Sequence, residues 1–578
     1  MGNLNGSCST PSISRYLLDS LAVAGARHIF GVPGDFNLAF LDEIEAHPDI
    51  QWVGNANELN AAYMADGYAR VNGFAVVVTT YGVGELSALN GIAGAYAEHV
   101  PVLHIAGTPS TDTQRRGLSV HHGTGDGDHE HYLRAYREVT CATASLTEAT
   151  AAADIDRVLA AILTSKQPGY LALPSDLVRR PVLIPAPGPA APRLPAGGQP
   201  ASVEPAGADE RAPAQLFAAA AGPLLRGARD VVVLVDALAR RHERGPQLDK
   251  LIRKGHLTGA VLLGGKGAID ESYERFAGLY IGAHSEPATR LAVENADVVI
   301  GMGLAWNDLN SGGFTARIDG AKLIDIQPFG ATIGAVGIPG LTMAQALDEL
   351  SRLVEPPADD EVATAAAGEQ HHSEAAADPL ETQALLSQDT LWQRIGAFLR
   401  PGDILAAGQG TALWGAAAQR LPAGVEVIIQ PTWSSIGYTL PAVGGAQLAS
   451  APRRRSILVI GDGAAQMTVQ ELGTLAREGL DPIIVVVNNS GYTVERAIGG
   501  RTASYNDIQP WNWQLIPAAL GTGATVASAA TVAQLDAALE RAVADDGRMR
   551  FIEVLLDRDD VPAMLARAAR ALAARSVE

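Results

Sequence analysis

The segment HHGTGDGDHEH, residues 121–131, concentrates side chains that can bind a metal ion. Its candidate ligands are four imidazoles and three carboxylates, namely His121, His122, His129, His131, Asp126, Asp128 and Glu130. Neither common spacing is present: no H-E-x-x-H motif occurs, and the sixth position counted from Asp126 is His131, where a calcium loop needs glycine. The segment therefore indicates a functional site, and its residues alone leave open whether that site binds a metal ion.

Polar residues also follow two apolar segments, SILVIGDG and PIIVVVNN, which predict neighbouring strands. Asp462 ends the first strand and Asn489 ends the second, so both oxygen ligands are expected at one edge of a parallel sheet. Mg²⁺ prefers a few protein oxygens combined with phosphate oxygens. Gly461, Gly463 and Gly491 would let a diphosphate approach the backbone, and the helix predicted after Gly463 would offer its amino end. These features favour a magnesium and diphosphate site over an ordinary turn.

The overall composition is that of an acidic globular protein, with 578 residues, a net charge of −20, 47 % hydrophobic residues and 18 % charged residues. A nucleic acid or an anionic membrane needs a basic face, so neither is expected as a partner. Cys8 and Cys141 are too few for a disulfide framework and fit a reducing compartment. Because the sequence shows no signal peptide and no apolar run of roughly 18 residues, a cytoplasmic protein is predicted.

The distribution of bulky residues predicts linkers at 184–215 and 355–383. They divide the chain into three segments, 1–183, 216–354 and 384–578. In the first, FAVVVTTYG and VPVLHIAGT predict buried strands, and ELNAAYMADGYARVNG predicts a helix closed by Gly73. Because every segment alternates apolar runs with helical patterns, three doubly wound α/β domains with parallel sheets are predicted.

Several further segments occur in the order found in one enzyme family. They are FGVPGDFN (30–37), NELNAAYMADGYAR (57–70), TYGVGELSALNGIAGAYAEHVPVLHIAGTPS (80–110), WSSIGYTLPA (433–442) and NNSGYTVERAIGG (488–500). With GDG and NN, these segments make nearly the whole chain resemble the thiamine diphosphate-dependent decarboxylases of pyruvate, indolepyruvate, phenylpyruvate and branched-chain 2-oxo acids. The three predicted segments then correspond to the family's pyrimidine-binding, middle and diphosphate-binding domains.

The resemblance implies that thiamine diphosphate and Mg²⁺ are the cofactors. The metal ligands would be Asp462, Asn489 and Gly491. Glu58 would protonate the pyrimidine ring, Ile436 would be the apolar wedge that bends the cofactor, and the Ser434 carbonyl, where many relatives carry glycine, would accept a hydrogen bond. The residues implied to bind the cofactor are Glu58, Gln409, Gly410, Thr411, Ser434, Ile436, Gly461, Asp462, Gly463, Ala464, Asn489, Gly491 and Tyr492.

The resemblance also bears on the histidine-rich segment. HHGTGDGD resembles the family's HH-x-x-G-[DN]-G-D loop, whose paired histidines face the cofactor and handle protons without binding metal. Asp35 and His122 would supply protons, and Glu495 would lie beside the departing carboxylate. The implied catalytic residues are Glu58, Asp35, His121, His122 and Glu495. His129 and His131 go beyond the family pattern, and a solvated loop is predicted for them.

The residues implied to line the substrate pocket indicate a 2-oxo acid larger than pyruvate. They are Gln409, Leu413, Val494 and Ile498. Val494 stands where pyruvate-specific relatives carry isoleucine, and SYNDIQPWNW (504–513) is similar to indolepyruvate decarboxylases. The Ala-rich segment 563–576 is either a cap of the site or a packing seam. An aryl or branched-chain 2-oxo acid is therefore the expected substrate.

The predicted function is non-oxidative decarboxylation of a 2-oxo acid to an aldehyde and CO₂ through a thiamine diphosphate enamine. Two alternatives stay open, a carboligase with the same residues and a non-enzymatic relative, which should have lost Glu58, Asp462 or Asn489. The middle domain is predicted to be structural or regulatory, because GMGLAW and GAVLLGGKG match neither nucleotide-binding motif, and flavin binding stays open. Family precedent implies at least a homodimer, with a homotetramer expected.

Overall fold

The computed structural model describes residues 10–183, 212–356, 384–544 and 547–575, with side chains to residue 570. These residues form three sheets flanked by helices, which confirms the predicted α/β fold. Cys8 and most of both predicted linkers lie outside the described residues. Within the described part of the chain, no helix is both long enough and apolar enough to cross a membrane.

The first sheet is parallel throughout. Its strands are β1 (His28–Gly31), β2 (Gln51–Gly54), β3 (Ala75–Thr80), β4 (Val102–Thr108), β5 (Ala142–Ser145) and β6 (Gly169–Pro174). They lie in the order β2-β1-β3-β4-β6-β5, and the central strands are buried along their whole length, as expected between two helical layers. The helices are α1 (Ile13–Val23), α2 (Leu38–Glu45), α3 (Glu58–Asn72), α4 (Val83–Ala97), α5 (Thr111–Arg115), α6 (His131–Arg137) and α7 (Ala151–Ser165).

Helix α3 has clear signals at both ends, and the structure confirms its predicted limits. The Asn57 side chain accepts the N–H of Asn60 and caps the amino end. Gly73 closes the carboxyl end with φ 87°, a left-handed conformation that favours glycine. Glu58 is therefore the first residue of a helix whose ends are both fixed by local sequence.

The middle sheet has seven strands. They are β7 (Val231–Val235), β8 (Thr258–Val261), β9 (Phe276–Leu279), β10 (Val298–Met302), β11 (Leu323–Gln327), β12 (Gly330–Ile333) and β13 (Val336–Pro339), in the order β13-β12-β11-β10-β7-β8-β9. The helices are α8 (Ala212–Leu225), α9 (Ala237–Arg241), α10 (Gly245–Lys254), α11 (Pro287–Glu294) and α12 (Met343–Leu353), with 3₁₀ turns at Leu263–Gly265 and Gly320–Lys322. Because α8 begins at Ala212, the last residues of the first predicted linker are helical.

One edge of the middle sheet is antiparallel, which the prediction of parallel sheets did not include. Strands β11, β12 and β13 pair antiparallel, whereas the rest of this sheet is parallel. The links between them are too short for the crossover that a parallel connection requires, so the chain can only reverse. Gly334, with φ 55°, lies in the turn between β12 and β13.

The third sheet is parallel and repeats the strand order of the first. Its strands are β14 (Ile404–Ala407), β15 (Glu426–Ile428), β16 (Ser456–Gly461), β17 (Ile483–Asn488), β18 (Thr525–Ala529) and β19 (Arg550–Leu555), in the order β15-β14-β16-β17-β19-β18. The helices are α13 (Gln388–Phe398), α14 (Thr411–Ala418), α15 (Thr439–Ala449), α16 (Asp462–Gln466), α17 (Glu471–Arg477), α18 (Thr493–Ile498), α19 (Ile516–Ala519), α20 (Val532–Ala544) and α21 (Ala563–Arg575), with a 3₁₀ turn at Ser504–Asn506.

The segment between β16 and β17 differs from its predicted form. The prediction placed Asp462 in the strand and a helix after Gly463, but the strand ends at Gly461 and a five-residue helix begins at Asp462. A second helix begins only at Glu471. Thr468 lies between the two helices, where its hydroxyl donates to the Gly437 carbonyl at 2.8 Å. A helix of five residues contributes little dipole, so its amino end is a weak anion site.

Hydrogen bonds from charged side chains to backbone carbonyls join the middle and third domains. Lys266 is 3 % exposed and donates both to Glu271 Oε2 and to the Gln419 carbonyl at 2.6 Å. Arg420 donates to the carbonyl oxygens of Glu271 and Tyr273. Lys266 is the lysine of GAVLLGGKG. Its ammonium group donates to Glu271 and Gln419, so its role is to hold the two domains together rather than to bind phosphate.

Contacts along the backbone divide the chain into two compact units. One comprises Met1–Glu204 together with Gly444–Arg453 and Gln470–Glu478, and the other comprises Pro205–Val443, Arg454–Val469 and Gly479–Glu578. The predicted domain limits therefore stay predictions, although each of the three sheets lies within one predicted segment. In the first unit, α15 crosses α3 so closely that a Cβ on Gly445 would lie 1.9 Å from the Met64 carbonyl oxygen.

Replacing Gly445 with alanine should therefore destabilise the protein. Because the clash is with backbone, one of the two helices must shift, and we expect a loss of about 1–3 kcal/mol in the free energy of unfolding. The control is Gly227→Ala, because a Cβ at Gly227 would meet no atom within 4 Å. Urea unfolding followed by circular dichroism measures both variants, and equal stability of the two would contradict the close crossing.

Candidate active site

The Asp462 carboxyl is buried where β16 and β17 end side by side. Gly461 pairs with Val487, so the residues that follow these strands lie at the same edge. Asp462 is 2 % exposed, and its carboxylate accepts the N–H of Gly463 at 2.7 Å and the N–H of Gly491 at 3.1 Å. Burial raises the pKa of this carboxyl to about 6, although the two N–H donors act in the opposite direction.

These residues fit a divalent cation. A carboxylate buried at this depth is costly unless positive charge offsets its desolvation, and a bound cation supplies that charge. Asn489, which is 3 % exposed, offers an amide oxygen beside it, and Gly491 offers a backbone carbonyl. Carboxylate, amide and carbonyl oxygens are the donor types that Mg²⁺ accepts.

Arg496 fixes the loop that carries Asn489 and Gly491, and the sequence analysis missed it. Its side chain is 1 % exposed, and its guanidinium donates to the carbonyl oxygens of Asn489 at 3.2 Å, Ser490 at 2.5 Å and Asn506 at 3.1 Å. It also pairs with Asp507 at 2.9 Å. No local pattern predicts these contacts, because the partners of Arg496 lie both before and after it in the chain.

A second candidate cofactor segment follows β14, which is the other neighbour of β16. Gln409 and Gly410 lead into α14 at Thr411, so the start of an eight-residue helix lies at the same sheet edge as Asp462. The Gln409 Oε1 atom is buried and has no hydrogen-bond partner in the described part of the chain. A Cβ on Gly410 would come no closer than 4.0 Å to another residue, and one on Gly461 would meet no atom within 4 Å. An unsatisfied acceptor and two open glycines fit a cradle for a ligand.

The remaining cofactor candidates on this unit are placed as follows. Ala464 is 5 % exposed in α16, and the Tyr492 ring packs on Gly463, where a Cβ would lie 2.6 Å from it. Ser434 has φ 59°, a left-handed conformation, and its N–H donates to the Gln430 carbonyl at 3.0 Å. The left-handed region favours glycine, which is the residue that the family resemblance implies at this position in many relatives. Ile436, two residues on, is half-buried.

The Asp35, His121 and His122 side chains come together in the first unit. His121 Nε2 lies 2.8 Å from Asp35 Oδ2, and His122 Nε2 lies 4.0 Å from Asp35 Oδ1. Phe36 stacks on the His121 ring at 5.1 Å. One potential ligand atom from each of the three residues lies within 4.8 Å of the others, so the geometry would accept a metal ion as well as exchange protons.

The two additional histidines make contacts that the predicted solvated loop did not include. His131 Nε2 lies 2.7 Å from Asp126 Oδ2, and its Nδ1 faces the Arg134 guanidinium at 3.0 Å. His129 Nδ1 lies 3.3 Å from the Tyr81 hydroxyl. These contacts fix the position of the loop that follows His122. Hydrogen bonds from His131 and Thr124 hold the pKa of the Asp126 carboxyl below its ordinary value.

Glu58 and Glu495 lie on helices of different units. Glu58 is half-buried, and its Oε1 would lie 3.3 Å from a Cβ on Gly84 of α4. Glu495 is exposed on α18. Asp35, Glu58 and the paired histidines thus belong to the first unit, and the Asp462 set with Glu495 belongs to the second.

Of the predicted substrate-pocket residues, Gln409 precedes α14, Leu413 lies on α14, and Val494 and Ile498 lie on α18. Helix α21 packs against both helices. Val494 and Ile498 are half-buried in α18. Leu413 is 1 % exposed and faces Leu405 and Val427 across a small void in the core. Its role in substrate contact stays a prediction, as do those of Gln409, Val494 and Ile498.

Family comparisons agree with the three-sheet architecture. Residues 11–131 match the description "Thiamine pyrophosphate enzyme, N-terminal TPP binding domain", residues 218–350 match the central domain, and residues 407–554 match the C-terminal TPP binding domain. Thiamine pyrophosphate is thiamine diphosphate. The three matches follow one another as the three sheets do and define a thiamine diphosphate enzyme.

Similar proteins cover almost the whole chain. The alpha-keto-acid decarboxylase of Mycobacterium tuberculosis (strain ATCC 25618 / H37Rv) is 47 % identical over 569 residues, which is 97 % of each chain. Those of Mycobacterium avium (strain 104) and Mycobacterium ulcerans (strain Agy99) are 45 % and 46 % identical, over 97 % and 96 % of this chain and 96 % and 95 % of theirs. The chain therefore belongs to the family of thiamine diphosphate-dependent 2-oxo-acid decarboxylases, as the sequence motifs indicated.

The contacts of Arg496 predict that Arg496→Lys will loosen the Asn489–Gly491 loop. Lysine cannot reproduce the planar set of donors, and a buried carbonyl left without a donor costs about 1–3 kcal/mol. Hydrogen exchange of peptides covering residues 483–495 should become faster, and the urea midpoint should fall. Arg501→Lys is the control, because Arg501 is 72 % exposed and pairs with Asp559 at the surface. Unchanged exchange in Arg496→Lys would show that the guanidinium does not hold this loop.

Proposed function

We propose that this enzyme removes CO₂ from a 2-oxo acid without oxidation and releases an aldehyde. The observation that carries the proposal is the Asp35–His121 hydrogen bond with His122 beside it, since release of an aldehyde needs a proton at the carbon from which CO₂ has departed. The printed name of the relatives, alpha-keto-acid decarboxylase, supports the substrate class.

We propose Mg²⁺ together with thiamine diphosphate as the cofactors. Asp462, Asn489 and Gly491 would hold the metal, because a buried carboxylate with a raised pKa fits a bound cation. Gln409, Gly410, Thr411 and Gly461 would form the diphosphate cradle. When bound, the cofactor supplies a nucleophilic carbon for the keto group and accepts the electron pair left by CO₂.

The side chains of the protein would then position the reactants and move protons. Glu58 would hold a proton at the pyrimidine ring. Ile436 would contact the cofactor with its apolar side chain and bend it. The hydrogen-bonded pair of Asp35 and His121, with His122, would deliver the proton that completes the aldehyde. Glu495 would lie beside the substrate carboxylate that departs as CO₂.

We further propose that the preferred substrate carries an aryl or branched side chain. Its pocket would be lined by Gln409, Leu413, Val494 and Ile498, and the packing of α21 against α14 and α18 would make the terminal helix its outer wall. We also propose that the protein forms at least a homodimer, with a homotetramer expected, and that it is cytoplasmic. The family resemblance supports the oligomer, and the composition supports the location.

Product analysis with a panel of 2-oxo acids tests this proposal. With thiamine diphosphate and Mg²⁺ added, phenylpyruvate, indolepyruvate or a branched-chain acid should exceed pyruvate by at least about tenfold in kcat/KM, since one methylene in an apolar pocket is worth about 1–3 kcal/mol. Val494→Ile should reduce this preference, whereas Val526→Ile, at a site 39 % exposed on β18, should not. A preference for pyruvate would refute the proposed aryl or branched side chain, and the absence of any aldehyde would refute decarboxylation.

A further inference from the structure

Glu85 is a buried carboxylate in the first unit that the predicted mechanism does not use. It is the third residue of α4 and is 1 % exposed. Oε2 accepts the N–H of Gly82 at 2.6 Å, and Oε1 accepts the hydroxyl of Tyr170. The Tyr136 hydroxyl donates to the Glu85 backbone carbonyl at 2.7 Å, and the rings of Tyr136 and Tyr170 stack at 4.5 Å. Glu85 is thus held rigidly while its carboxylate fixes the turn at Gly82.

The Gly82 turn supports the backbone of His122. A Cβ on Gly82 would lie only 2.0 Å from the His122 carbonyl oxygen, so the two backbones are in direct contact. The Tyr132 hydroxyl donates to the same carbonyl at 2.9 Å. His122 itself has φ 65°, which is strained for a residue with a side chain and persists only where surrounding contacts impose it. The position of the His122 backbone therefore depends on the turn that Glu85 anchors.

We propose that Glu85 is a positioning residue for the His121–His122 pair, acting through the Gly82 turn on which the His122 carbonyl rests. The proposal rests on the function proposed above for the two histidines. Neither Glu85 nor its partners need touch the substrate, because the link runs through the Gly82 backbone.

The surroundings of Glu85 make this anchor sensitive to pH. Burial raises the pKa of its carboxyl to about 7, and the hydrogen bonds from Tyr170 and Gly82 oppose that shift. Four tyrosines and a histidine are the titratable groups nearby, namely Tyr81, Tyr132, Tyr136, Tyr170 and His104. Burial raises the pKa of Tyr136 and Tyr170 well above 10 and lowers that of His104 to about 3, so these three stay neutral and Glu85 changes charge alone.

The direction of the pH effect follows. Above pH 7 the ionised carboxylate accepts both N–H and O–H donors; as the pH falls through about 7 it takes up a proton and one acceptor site is lost. Both hydrogen bonds to the Glu85 carboxylate, from the Gly82 N–H and the Tyr170 hydroxyl, are therefore present at the higher pH. Glu85→Gln is neutral at every pH and should behave as the protonated form does.

The first measurement is the pH profile of kcat/KM. The wild-type profile should contain an ionisation near pH 7 that Glu85→Gln lacks. Glu85→Gln should lose about tenfold or more in kcat at pH 8, in the range that misplacement of a catalytic group produces. Tyr170→Phe removes a bond that lowers the pKa of Glu85, so its ionisation should shift to higher pH. Tyr136→Phe is the control, because the Tyr136 hydroxyl bonds to the Glu85 backbone carbonyl and not to its carboxylate, and this variant should leave the ionisation in place.

The second measurement needs no decarboxylase activity. Carbethoxylation of His122 by diethyl pyrocarbonate, followed by peptide mass spectrometry at pH 8, should be faster in Glu85→Gln and unchanged in Tyr136→Phe, with His131 as the internal reference. Unchanged His122 modification, or a Tyr170→Phe profile that does not shift, would overturn the proposal. If Glu85→Gln does not fold, the shift of the ionisation in the Tyr170→Phe pH profile tests the proposal by itself. Altered His122 modification in a protein that forms no aldehyde would support the positioning role while refuting the proposed function.

Discussion

The burial of a carboxyl group at the end of a parallel strand is the constraint on which the third domain's site depends. Asp462 is 2 % exposed, and burial raises the pKa of its carboxyl to about 6. Two backbone N–H groups offset only part of the cost of desolvation, and a divalent cation would offset the rest. The loop from Asn489 to Gly491 serves the same requirement, because the Gly491 N–H donates to this carboxylate and the Arg496 guanidinium fixes the loop.

The first domain has the same strand order as the third, but we propose a different role for its polar residues. Its sheet repeats the 2-1-3-4-6-5 arrangement, and polar residues again follow the strands, where we propose that they move protons rather than bind a metal. Asp35 and His121 share a hydrogen bond of 2.8 Å in an exposed position, whereas the carboxylate that supports them, Glu85, is buried. A reactive group must be reached by substrate, and a supporting group gains rigidity from burial, so the two carboxylates differ in exposure as their roles require.

Much of the fold could be predicted from local signals. Apolar runs located the buried strands, and Asn57 and Gly73 set the limits of α3. The β12–β13 hairpin was missed because its strands are short and partly exposed, and the start of α16 was placed two residues too late, since the helix was predicted after Gly463 but begins at Asp462. Arg496 and Glu85 could not be predicted, since Arg496 bonds to residues on both sides of it and Glu85, on helix α4, bonds to Tyr170 on β6. Such partners are close only after the chain has folded.

We propose that the divalent cation binds at Asp462 and not at the histidine-rich loop, residues 121–131. Equilibrium dialysis of Mg²⁺ in the presence of thiamine diphosphate, applied to the wild type, Asp462→Asn and His122→Ala, tests this proposal. We expect one Mg²⁺ per chain to be lost in Asp462→Asn and retained in His122→Ala, because only the first substitution removes an anionic ligand. Retention in Asp462→Asn together with loss in His122→Ala would contradict it.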